Sequence, residues 1–216
     1  MYTLGPSQPL LQALAFPDRA VRYSAAIAIA NAGPRQPFPE SNLVVQNLAE
    51  ALMPRAEATG TAAANEQWTA ELADKYALRA AQAMLKLAIG RNPVIDLSLG
   101  QTALVGATKA TQHEIQTLAG QVLAYINNAN AQRAIADMAM NTANDMAVRV
   151  AAFESLTCSA KVSGNLLADP AVTAIYELIS KPDTDPALRA AAAAAYGALN
   201  LPSQKVKNLI LDQAKS

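Results

Sequence analysis

Histidine, cysteine and tryptophan each occur once in 216 residues, and aromatic residues of all kinds make up only 5% of the chain. With one histidine and one cysteine, most metal sites are excluded, because they draw on several such ligands. No disulfide can form within the chain. Charge is also scarce: 17 basic residues balance 17 acidic ones, and together they account for 16% of the sequence. Such a chain has no global positive field to hold phosphates, so sequence-independent nucleic-acid binding is not expected. No apolar run approaches the ~18 residues that a membrane span needs. Disorder is excluded by the opposite measure, since 52% of the residues are apolar and the net charge is zero. The first residues, Met1-Tyr2-Thr3-Leu4-Gly5-Pro6, contain neither a basic nor an apolar leader region. A lone Cys158 suits a reducing compartment and equally an exported protein without disulfides. The cytoplasm is the default reading, with export open if a leader has been removed. No cofactor is expected.

What the chain has in excess is alanine, roughly a quarter of all residues against a far lower ordinary usage. The alanine runs follow a recurring phrase. Asp18-Arg-Ala-Val-Arg22 precedes Tyr-Ser-Ala-Ala-Ile, Asp145-Met-Ala-Val-Arg149 precedes Val-Ala-Ala-Phe, and Asp185-Pro-Ala-Leu-Arg189 precedes a run of six alanines. A looser copy, Asp74 to Arg79, has one extra residue, and in the most divergent, Thr111 to Gln116, glutamine replaces arginine. The spacings between the arginine positions are 57, 37, 33 and 40 residues, which suits a two-helix repeat of about 40 with one insertion.

Aspartate is a good N-cap because its carboxylate accepts the free amides of a first turn. Pro186 fits directly after Asp185, where a missing N–H is harmless. Thr111 with Glu114 reads as a capping box. Behind each cap lies an Ala- and Leu-rich stretch that favours helix and is apolar nearly all round, so these helices need burial on more than one side. Each has an apolar-periodic partner before it: Pro9–Ala15 with Ser7 as cap, then Leu43–Leu52, Pro93–Ala107 (interrupted by Gly100 and Gly106), Ala129–Met140 and Pro170–Ser180. A last segment, Ser203–Ala214, carries Val206, Leu209 and Ile210 on one side with Lys205, Lys207 and Asp212 elsewhere. No alternating pattern argues for a sheet. The chain is expected to be all-α.

The pattern Leu10-Leu11-x-x-Leu14, Asp18-x-x-Val21-Arg22, Ala25-Ala26-x-Ala28-Ile29, with its Asp145 and Asp185 copies, resembles the HEAT repeat, most closely that of bacterial HEAT proteins. The resemblance implies one domain over residues 1–216, a right-handed α-α superhelix of about five helix pairs (7–33, 43–90, 93–127, 129–159, 170–199) with a C-terminal capping helix at 203–214. It implies a ladder between repeats built from Asp18, Asp74, Asp145 and Asp185 with Arg22, Arg79, Arg149 and Arg189, interrupted at Gln116. It also implies a concave face lined by the second helices. The polar last segment reads as a solenoid cap. The uncharged start reads as the continuation of a longer protein or as a first repeat that packs on a partner, including by self-association.

Two connections exceed a minimal repeat: 31–42 with Pro34, Phe38 and Pro39, and 53–67 with Gly60. Both read as mobile insertions. Trp68 reads as a hydrophobic staple before the second helix of repeat two, with an exposed partner anchor as the alternative. His113 reads as an exposed or packing residue, and Cys158 as a buried free thiol. Neither belongs to a nucleophile–base pair or phosphate loop. The expected function is therefore a non-catalytic scaffold for protein or peptide. Positions one and five after each arginine should face outward, which nominates Tyr23, Ile27, Ala80, Met84, Thr117, Gln121, Val150 and Glu154 as the contact face. An enzyme or chaperone-like role, such as bilin attachment by HEAT-like lyases, is the alternative. Recognition of damaged DNA is disfavoured by the neutral charge. His113-Glu114, a single pair, does not match the repeated His-Glu pairs of HEAT-like di-iron hydroxylases.

Overall fold

The computed structural model describes residues 8–53 and 68–201, and all regular secondary structure among them is helical. Ser7, nearly all of the 53–67 connection and the expected helix at 203–214 lie outside the described residues. The chain divides into two compact units, 1–126 and 127–216.

The first unit contains α1 (Pro9–Ala13), α2 (Arg19–Ala32), α3 (Ser41–Leu52), α4 (Ala70–Ile89), a 3-10 turn (Leu97–Gly100), α5 (Gln101–Ala107) and α6 (His113–Leu123). Helix α2 begins where the phrase places it, with the Asp18 carboxylate accepting the Ala20 amide at 2.7 Å. It packs on both α3 and α4, and α4 in turn packs on α6. The shared core is built from Leu14, Ile29, Leu48, Met84, Leu104 and Leu123, all fully buried. Gly100 is fixed by this packing: a Cβ there would sit 2.9 Å from Met84 Cε and 3.2 Å from Val45 Cγ1. The single helix expected over Pro93–Ala107 is divided, and two side chains explain why. Asn92 Oδ1 accepts the amides of Val94 and Ile95 at 2.9 Å each, and Asp96 Oδ1 accepts that of Ser98 at 2.9 Å. These local bonds satisfy the backbone without a helix.

Three further expectations are corrected in this unit. Asp74 is no cap: α4 starts five residues earlier under Thr69, whose hydroxyl accepts the Leu72 amide at 3.1 Å, and this leaves Asp74 exposed inside the helix. The Thr111–Glu114 capping box does not form. Gln112 occupies the cap position and contributes no side-chain bond, so Glu114 falls one residue short of the reach the motif requires. The 31–42 connection is pinned instead of mobile. Phe38 is buried, Lys86 Nζ donates to the Asn31 carbonyl at 2.6 Å, and Asn92 Nδ2 donates to that of Pro34 at 2.9 Å.

The second unit contains α7 (Ala129–Met140), α8 (Met146–Ser163), α9 (Asp169–Ser180) and α10 (Pro186–Ala198). Its two pairs repeat at an offset of forty residues, so that 129–140 maps onto 169–180 and Asp145 onto Asp185. The turns match position for position, with different side chains making the bond. Asn144 Nδ2 donates to the Met138 carbonyl at 2.8 Å, and Thr184 Oγ1 donates to that of Leu178 at 2.7 Å. Asp145 accepts the Ala147 amide at 2.8 Å, and Asp185 those of Ala187 and Leu188 at 2.9 and 3.1 Å. Helix α8 packs on α7 and on α10, and α9 on α10.

Candidate functional site: an aromatic cluster and an adjoining groove in the first unit

Arginine at the end of the phrase has one role in several copies, and it differs from the expected ladder. Asp18, Asp145 and Asp185 accept amides of their own helices, whereas the arginine folds back onto the carbonyls that close the preceding helix and its turn. Arg149 Nε donates to the Ala139 carbonyl at 3.0 Å. Arg189 Nη2 donates to those of Lys181, Pro182 and Thr184 at 2.9, 2.6 and 3.0 Å. A cation at a helix C-terminus meets the negative end of the helix dipole. Gln116, expected to interrupt the series, takes the same place, with Nε2 donating to the Thr108 carbonyl at 3.3 Å. Arg79 departs from the pattern: it is exposed, with its guanidinium 5.8 Å from the Tyr76 ring centre.

Arg22 does most. Its Nη1 donates to the carbonyls of Phe16 and Pro17 at 3.2 and 3.0 Å, and its Nε to Asn47 Oδ1 at 3.1 Å. Its Nη2 donates to both Glu50 oxygens at 3.0 and 3.1 Å, a charge-assisted contact through one nitrogen that ties α2 to α3. Asn47 is itself buried, and its Nδ2 donates to the carbonyls of Leu14 and Leu43 at 3.0 and 2.9 Å. Tyr23, the next residue on α2, feels the Glu50 charge as well. Burial first, and then the Glu50 charge, hold its phenol well above the usual tyrosine range. Its hydroxyl therefore stays neutral and carries no charge into the core.

Tyr23 also anchors a group of rings. Trp68 stands edge-on to it at 5.8 Å, Tyr76 edge-on at 5.8 Å, and Trp68 stacks on Tyr76 at 5.3 Å. The Arg19 guanidinium lies 5.1 Å from the Trp68 ring centre. Trp68 is only 9% exposed, so the anchor alternative is corrected: its surface is spent inside the unit. The position directly before the Thr69 cap is the one a staple occupies, but its ring partners are Tyr23 and Tyr76. The other edge of Tyr76 lines an open groove of about 480 Å³ with Leu10 and Ala13 of α1 and Ala20, Val21, Ser24 and Ala25 of α2. Its polar feature is the Ser24–Tyr76 hydroxyl pair, 3.1 Å apart.

The nominated contact face divides between the units. Tyr23, Ile27, Ala80 and Met84 are buried, each at most 3% exposed, and so are not a free surface. The reason is that α2 and α4 are enclosed from several sides at once, which leaves positions one and five after the arginine no outlet. Thr117 and Gln121 on α6 are half-buried, as is Val150, and Glu154 is exposed. His113 is exposed, and Cys158 is half-buried where full burial was expected. A residue that sequence reasoning missed is Gln132, wholly buried on α7. Its Nε2 donates to Ser159 Oγ at 3.1 Å and to the Gly164 carbonyl at 3.0 Å, and its Oε1 accepts the Leu166 amide at 2.7 Å. A lone glutamine in an apolar-periodic helix carries no signal that distinguishes it from a surface residue.

Among the described residues, no helix is long and apolar enough to cross a membrane. No protein-family model and no curated protein matches the chain. Among solved structures, it is similar to an engineered protein determined by crystallography, with a TM-score of 0.55 and 19% identity over 95% of this chain and 84% of that one. At that identity the likeness speaks for the all-helical fold alone.

Proposed function

We propose that the chain is a HEAT-like repeat scaffold, its helix pairs stacked in a right-handed superhelix, that binds a protein or peptide without catalysis. The forty-residue recurrence of the second unit, with its cap and carbonyl clamp, supports the repeat reading. The observation that carries the binding reading is the chemistry of the groove on α1, α2 and Tyr76: no lining residue is charged. At its edge Leu10 is 43% exposed. A site of this kind selects the apolar side chains of a polypeptide, with the Ser24–Tyr76 hydroxyls giving orientation, and its lining has no cation for a phosphate. In the second unit, Val150 and Glu154 remain the nominated contact positions.

Panning a displayed peptide library against the immobilised protein tests this. The selected peptides should be apolar, should shift Trp68 emission through its stack on Tyr76, and should lose more than about tenfold in affinity with Val21→Arg, as a charge set into an apolar pocket demands. Binding that survives Val21→Arg but fails with Glu154→Arg would move the contact to the second unit.

A further inference from the structure

The residue that ends the phrase is the fourth of its helix in α2, α6, α8 and α10. There Arg22, Gln116, Arg149 and Arg189 all reach back to carbonyls ahead of their own helix. In α4 the early start under Thr69 carries the same residue to the tenth position, roughly a turn and a half deeper into the helix. Arg79 therefore has no clamp to make, and it forms no other hydrogen bond or ion pair among the described residues. Its guanidinium is exposed and stands 5.8 Å from the centre of the Tyr76 ring, a cation–π contact. That ring is itself fixed, stacked on Trp68 and tied through its hydroxyl to Ser24. Tyr76 is also the residue that α4 gives to the groove on α1 and α2. One ring thus joins an apolar, uncharged groove to a cation that the fold does not spend.

We infer that Arg79 and the groove form one site, whose occupant is a polypeptide segment with an apolar side chain in the groove and an aspartate or glutamate on Arg79. The inference rests on the groove reading given above and adds the charge of the partner. Charge complementarity carries it: a guanidinium presents two parallel donors to a carboxylate, and the apolar surface beside it weakens the competition from water. A single arginine suits one carboxylate, whereas phosphorylated segments are held by arginine clusters. The carboxylate belongs to a side chain and not to a chain end. Terminal carboxylates are captured by free backbone amides, and at this groove the first-turn amide of Ala20 is already taken by Asp18 at 2.7 Å. The 5.8 Å from guanidinium to ring centre is about two residues of extended chain at ~3.3 Å each, so the acidic residue stands about two places from the apolar one.

A displayed peptide library tests this on the full chain. It holds a fixed leucine and, two places before or after it, a fixed glutamate, with uncharged residues elsewhere. Each selected peptide is remade with glutamine in place of the glutamate. The glutamate form should bind at least about threefold more tightly, as a solvent-facing ion pair gives, and the difference should close in 1 M salt. Arg79→Gln should abolish the difference and leave the circular dichroism unchanged, because the position is exposed and glutamine suits a helix equally well. Arg79→Glu should reverse it, favouring peptides remade with lysine. Equal binding of the glutamate and glutamine forms to the parent chain overturns the inference and leaves the groove reading standing. A preference that survives Arg79→Gln overturns it in favour of another cation, such as the exposed Lys75. Full affinity from a terminal carboxylate at the same place overturns it in favour of a chain end. If neither this library nor its glutamine counterpart yields a binder, the groove reading fails and the inference with it.

Discussion

The two units use one helix-pair phrase and differ in what fills the space between helices. In 127–216 the phrase occurs twice, forty residues apart, and each turn is closed by a side chain at the same place, Asn144 or Thr184, donating to a carbonyl of the preceding helix. Its core sets alanines such as Ala131, Ala139, Ala152 and Ala192 against the large aliphatic members Ile135, Leu156, Ile175 and Leu199, with Phe153 as the one fully buried ring among the described residues. In 8–126 the step varies, and scarce large residues do the filling: Tyr23, Trp68 and Tyr76 meet as rings, braced by Arg19 and the Arg22–Glu50 pair. Small side chains and carbonyl clamps serve both units, the clamps coming from Arg22 and Gln116 in the first and from Arg149 and Arg189 in the second. In the first unit, where an insertion breaks the regularity, aromatic bulk and a charged pair are added to these.

The largest expected effects come from removing the bulky fillers, and they should separate the units. Phe153→Ala and Tyr23→Ala each delete a fully packed ring, a change that typically costs about 3–5 kcal/mol. Because Trp68 is the single tryptophan and belongs to the first unit, its emission follows that unit alone, while circular dichroism follows both. Tyr23→Ala should lower the urea midpoint seen by Trp68. Phe153→Ala should lower the dichroism midpoint and leave the Trp68 transition in place. Coincident shifts in both signals would mean that the units unfold as one cooperative body, and the contrast between them would lose its energetic meaning.

A smaller effect is expected from the clamp. Arg149 is buried against the Ala139 carbonyl, and Arg149→Ala leaves that acceptor unmatched, at a cost of about 1.5–3 kcal/mol for a bond to a charged group. Since Gln116 holds the Thr108 carbonyl in the first unit, Arg149→Gln should restore more than half of the loss in urea denaturation. If glutamine proves no better than alanine, the two units do not share the clamp and Gln116 is a local coincidence.

What could be read from the sequence was local chemistry. Asp18, Asp145 and Asp185 were legible as caps because a cap depends on its own next two or three amides. The all-helical class followed from alanine and apolar spacing. Illegible were the outcomes that several elements decide together. Tyr23 and Met84 looked outward by helical phase, but phase cannot show that α2 and α4 are enclosed on more than one side. The 31–42 connection looked loose, yet Phe38 and the bonds from Lys86 and Asn92 fasten it, and those partners lie 55 and 58 residues away in the chain. The ring cluster does have a signal in the sequence: in a chain so poor in rings, Tyr23, Trp68 and Tyr76 are costly choices for a surface.

The smallest predicted effect tests the boundary between what a phrase spells and what the fold does with it. Asp145 and Asp74 occupy the same place in two copies of the phrase, but only Asp145 accepts a first-turn amide, that of Ala147 at 2.8 Å. Removing it leaves an unsatisfied helix start, so Asp145→Ala should cost about 1 kcal/mol. Asp74 is exposed within α4, where alanine has the better helix propensity, so Asp74→Ala should change stability by no more than about 0.5 kcal/mol and in the stabilising direction. In α4 the cap is Thr69, and Thr69→Ala should reproduce the loss seen at Asp145. Urea midpoints for the three variants decide it. Equal losses at Asp74 and Asp145 would place the start of α4 at the phrase after all, and the first unit would then follow the rule of the second.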